Sequence, residues 1–199
     1  MATITFNNKA GNNAEADTTT AASVAFQAGM KPEDVSRAAA KAFLTANKIP
    51  FRQGPGGLIV ADGSIDLSDK ALTKLPDLSQ VSVTGDFDCS GNLLLSLKGA
   101  PCAVGGEFNC SNNEKLETLE HAPGLVGDNV YCTGTALTSL EHCPQNFLWI
   151  HSNLGTWDSW DRIPEKTRIS PEGLARDATT LGGTMNIHKP LSLRTPTTA

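Results

Sequence analysis

One short phrase returns along the chain at a nearly fixed distance. Gly85–Asn92 reads GDFDCSGN, Gly106–Asn113 reads GEFNCSNN, and Gly127–Thr135 reads GDNVYCTGT. Cys89, Cys110 and Cys132 are spaced by 21 and then 22 residues, and Leu97, Leu119 and Leu140 by 22 and then 21. Each leucine is followed by a proline, in KGAP, EHAP and EHCP. A unit this short cannot bury its own apolar side and must stack on copies of itself, so the period predicts a solenoid.

The units align over most of their length. Ile65, Leu67, Leu72 and Leu75 form the first, with Lys70 where later units carry Asn. Phe87, Cys89, Asn92, Leu94 and Leu97 form the second, and Phe108, Cys110, Asn113, Leu116 and Leu119 the third. Val130, Cys132, Thr135, Leu137 and Leu140 form the fourth, and Leu148, Ile150 and Asn153 are read as a degenerate fifth. A strand followed by a turn held by Asn fits the leucine-rich repeat. The phrases GDFDCSGNLLLSLKGAP and VGGEFNCSNN…LETLEHAP resemble the short leucine-rich repeats of bacterial and bacteriophage proteins. There a Cys often takes an inward Leu place and an Ala-Pro pair closes the turn. The resemblance covers residues 65 to 153. It implies an α/β solenoid, a short array with parallel strands on one face, used for protein contacts; it does not name the ligand.

Outside the array the composition changes. Residues 1–50 read as a polar arm and a helical hairpin, with one helix from Asp17 to about Gly29 and a second beginning near Pro32 and stopping before Pro50. The hairpin either caps the first repeat or docks on a partner. Residues 51–64 are a Gly-rich connector in which Leu58-Ile59-Val60 suits a capping strand. Residues 154–199 read as an irregular C-terminal cap, with Trp157 and Trp160, and an extended tail.

Charge narrows the partners. Residues 65 to 153 hold 11 Asp and Glu against 4 Lys and no Arg, a balance of −7 within a whole-chain charge of −5. That argues against nucleic acid as the main partner. There is neither an apolar run of spanning length nor a charged-then-apolar leader, so no membrane and no secretion are expected. The five cysteines are expected to be free buried thiols, as in a reducing cytosol.

Side chains that alternate with the inward ones point to the exposed, concave sheet. One row reads Asp66, Asp88, Asn109, Tyr131 and Trp149. The next reads Ser68, Ser90, Ser111, Thr133 and His151, and a third Asp86, Glu107, Asn129 and Phe147. The face grades from acidic to aromatic. Tyr131 and Trp149 offer contact area, Asp86, Asp88 and Glu107 can select a basic segment, and Asp66, Asn109 and His151 complete the partner-binding set.

Chemistry of other kinds finds little footing. A calcium loop starting at Asp86 would need a bidentate Glu at its twelfth position, which is Leu97. His121 and His142 recur beside the turn prolines, a spacing the repeat itself explains without zinc. No phosphate loop, nucleophile elbow or HExxH motif is present, so neither enzyme activity nor a cofactor is expected. Two functions follow. The first is a non-enzymatic interaction scaffold, a virion-associated structural or decoration subunit assembling through its termini with other virion subunits. The second is a soluble effector in the host cytoplasm that binds a host or defence protein through the acidic and aromatic face.

Overall fold

The computed structural model describes residues 31–169. The helix expected at 17–29, the polar arm and the tail lie outside them. Helix α1 (Pro32–Ala46) starts with a proline, which has no N–H to leave unpaired, and carries Glu33 and Asp34 in its first turn. Its Ala40 and Leu44 are fully buried in the common core. The helix ends at Asn47, whose backbone and side-chain nitrogens both donate to the Phe43 carbonyl, at 3.1 and 2.8 Å.

Beyond α1 the chain winds as a β-solenoid of about four turns, each contributing one strand to each of two sheets. Sheet A begins with the antiparallel hairpin of β1 (Phe51–Gln53) and β2 (Ile59–Ala61) and continues in parallel through β4 (Val81–Val83), β6 (Ala103–Val104) and β8 (Leu125–Val126). Sheet B runs in parallel through β3 (Ile65–Asp66), β5 (Phe87–Asp88), β7 (Phe108–Asn109), β9 (Val130–Cys132) and β10 (Ile150–Ser152). It ends with antiparallel β11 (Gly155–Trp157). Stacked parallel strands are what the repeat demands. Between them the backbone turns rather than forming helices; beyond α1 the only α-helix among the described residues is the short α2 (Glu165–Arg168). No helix among them is long and apolar enough to cross a membrane.

Stacking puts like on like. Ile65, Phe87, Phe108, Val130 and Ile150 occupy successive rungs of one buried file, in which Phe87 and Phe108 stack at 6.2 Å and 16°. Leu67, Cys89, Cys110 and Cys132 are buried two residues further along each strand. Cys143 is also buried, and all five thiols are unpaired; Cys102, expected to be buried, is exposed. Burial raises the pKa of every one, that of Cys132 to about 12.

Asn holds the turns, as the repeat pattern predicts. Buried Asn92 donates to the carbonyls of Leu67 and Cys89 at 2.8 and 3.0 Å, and accepts from the backbone of Lys70 and Leu72. Asn113 repeats the arrangement one turn on. Thr135 keeps only the local bond, to Cys132 at 2.8 Å. Left-handed backbone recurs at the corners: Asp69, Gly91, Asn112 and Gly134 share one position, and Gly99, His121 and His142 another. The recurrence of the two histidines is thus a backbone matter.

Candidate interaction face

The outward surface of sheet B is built by residues that alternate with its buried file. Backbone pairing puts Asp66, Asp88, Asn109 and Tyr131 in one row, as the sequence predicts. The fifth member differs. Ile150, not Leu148, pairs with Val130, so His151 stands opposite Tyr131 and Trp149 moves to the neighbouring row with Asp86, Glu107 and Asn129. The displacement is two residues. It corrects the places expected for Trp149, His151 and Phe147, the last of which packs partly buried against the core. Leu148, expected inward, is 58 % exposed.

The acidic end is ordered by its own hydrogen bonds. Asp66 Oδ1 accepts from the Ser68 backbone at 2.9 Å and its hydroxyl at 2.6 Å. Asp88 accepts from Ser90 N at 2.8 Å and, across the rung, from Asn109 Nδ2 at 3.1 Å. Asp86 accepts from the Glu107 backbone at 2.9 Å. Donors on three sides offset the repulsion that carboxylates on adjacent rungs would otherwise feel. Among the described residues no group of three His, Cys, Asp or Glu is arranged to hold a metal.

The aromatic end is a stack. The rings of Tyr131 and His151 lie 5.0 Å apart at 7°, and Trp149 lies 6.5 Å from His151 at 25°. Trp149 is 46 % exposed. Glu107 Oε1 joins the two ends: it accepts from Asn129 Nδ2 at 3.0 Å and from the Tyr131 hydroxyl at 3.3 Å. Desolvation and the Glu107 charge raise the Tyr131 pKa. Asn129, which the sequence places only in a row, is the residue that ties Glu107 to the aromatic group; its role becomes visible once side-chain reach is known.

A concavity of about 530 Å³ lies away from this face, lined by Ala122, Gly124, Leu125, His142, Cys143 and Asn146. It is open and largely uncharged, and it contains none of the residues that the sequence places on the interaction face. In comparisons with protein-family models, curated proteins and solved structures, nothing matches this chain.

Proposed function

We propose that the chain is a non-enzymatic interaction scaffold of leucine-rich-repeat type, which engages a protein partner through the outward face of sheet B. One observation carries the reading: the exposed Trp149 adjoins a stacked Tyr131–His151 pair on the same face as four oriented carboxylates. Aromatic anchors beside fixed charges are the usual composition of a binding hot spot. The rigid ladder holds them in place without help from a partner.

The full chain is immobilised and used to capture partners from its native source, alongside an Asp88→Lys/Trp149→Ala variant and a Lys74→Glu variant altered on an exposed turn. The scaffold reading expects capture to survive Lys74→Glu and to fail in the double variant. Equal capture by all three would sink it. The alternative assignment, a virion-associated decoration subunit, is supported by the resemblance of residues 65–153 to bacteriophage repeats. Recovery of the chain in a large particle would favour it.

A further inference from the structure

We infer that the occupant of this face is an extended polyproline-type peptide segment, with basic side chains at every third position, lying along the solenoid axis. The inference rests on the scaffold reading and adds the chemistry and pitch of the partner.

Charge complementarity comes first. Asp66, Asp86, Asp88 and Glu107 occupy the first three rungs of sheet B, and none of its strands carries Lys or Arg. Hydrogen bonds aim these carboxylates, yet Asp66 Oδ2 and Glu107 Oε2 have no partner among the described residues. Such oxygens accept from an incoming ammonium or guanidinium without first losing an internal bond.

The backbone comes second. The inner strands β5, β7, β9 and β10 are paired on both sides, so their main chain has nothing to offer an added strand. A ligand on this face is read through side chains alone. That favours a segment whose backbone needs no partner, which is the property of polyproline II.

Pitch comes third. Rungs lie about 4.8 Å apart, and three residues of polyproline II advance about 9.3 Å. Three residues therefore span two rungs. Cations at positions i and i+3 reach Asp66 on the first rung and Glu107 on the third, long side chains covering the offset between rows. Position i+6 arrives at the fifth rung, where Trp149 and His151 present flat rings suited to a proline or a guanidinium.

The test is calorimetric titration of the full chain at low salt with two end-blocked peptides of equal composition, Arg-Pro-Pro-Arg-Pro-Pro-Pro and Arg-Arg-Pro-Pro-Pro-Pro-Pro. The spaced peptide is expected to bind roughly five-fold more tightly or better. Glu107→Gln is expected to remove most of that advantage and Trp149→Ala to weaken both peptides alike, each variant checked for unchanged circular dichroism. Equal affinity for the two peptides, or binding of neither, overturns the inference. If neither binds while the Asp88→Lys/Trp149→Ala variant still loses its native partner, the scaffold reading stands and only this chemistry fails. If native capture also ignores the double variant, both fail.

Discussion

Asn113 and Cys89 stand 24 positions apart in the chain and are joined by a 3.0 Å hydrogen bond from side-chain amide to backbone carbonyl. The same amide donates to Cys110 at 2.9 Å, and its oxygen accepts from Leu94 N at 3.1 Å. One buried side chain thus closes its own turn and fastens the turn before. Each partner is a backbone group that water cannot reach.

Asn113→Ala is therefore expected to destabilise the protein by about 3 kcal/mol, because it strands several buried backbone groups at once. Asn113→Asp should fare little better, since a carboxylate cannot donate to the two carbonyls. Urea denaturation of the variants measures both. A loss comparable to an ordinary surface substitution would show that the peg is dispensable.

Gly99 has φ +98°, and a Cβ placed there would lie 2.6 Å from the Pro76 carbonyl oxygen. Backbone cannot yield as a side-chain tip can, so Gly99→Ala should cost about 2 kcal/mol. His121 and His142 occupy the same corner with φ of 69° and 65°. Replacing either by Gly should be neutral or stabilising by up to about 1 kcal/mol, since the left-handed strain is relieved. Thermal melts decide both.

Tyr131 is the only tyrosine, so the near-ultraviolet phenolate signal reports it alone. Its folded-state pKa lies above the ordinary 10.0, through desolvation and the Glu107 carboxylate. The folded state thus favours the neutral phenol: this contribution is complete below pH 10 and fades as pH rises through the folded value. Glu107→Gln should move the midpoint down while leaving it above 10, because desolvation persists. A midpoint unmoved by the substitution would remove Glu107 from the aromatic end.

The thiols give a count. A water-soluble disulfide reagent should modify Cys102 in the native protein, slowly, because partial burial raises its pKa and its Sγ donates to the Val81 carbonyl at 3.1 Å. Cys89, Cys110, Cys132 and Cys143 should react only on unfolding, bringing the total to five. Native modification of more than one thiol would mean that the interior opens readily.

The sequence reveals sheet B and, beyond the strand it suggests at Leu58-Ile59-Val60, hides sheet A for one physical reason. The first four turns of sheet B place two inward apolar residues around an outward polar one, as in Phe87-Asp88-Cys89, and the second and third follow them with the Asn peg. That is enough alternation to recognise. Strands β6 and β8 of sheet A have two residues each, and a single valine per turn marks their register. Val83, Val104 and Val126 do stand four residues before Phe87, Phe108 and Val130, which is the signal that could have found them. The register of the last rung is ambiguous in the sequence because Leu148 and Ile150 are both apolar and two residues apart. Only pairing with β9 separates them, leaving Leu148 in water and Ile150 buried. The antiparallel return of β11 depends on the tight Asn153-Leu154 turn, and no repeat precedes it as a template.

Among the described residues the two sheets do not finish together. Sheet A stops at β8, while sheet B runs on through β10 and closes with β11; at the other end β1 extends sheet A while sheet B stops at β3. A parallel solenoid whose sheets ended flush would offer each newcomer a matching pair of edges, and copies could join end to end into a fibre. Here each end is a step, with one strand reversed in direction. The array can lengthen over evolutionary time by duplicating interior turns, yet its described ends offer a second copy no matching pair of edges on which to continue the pattern.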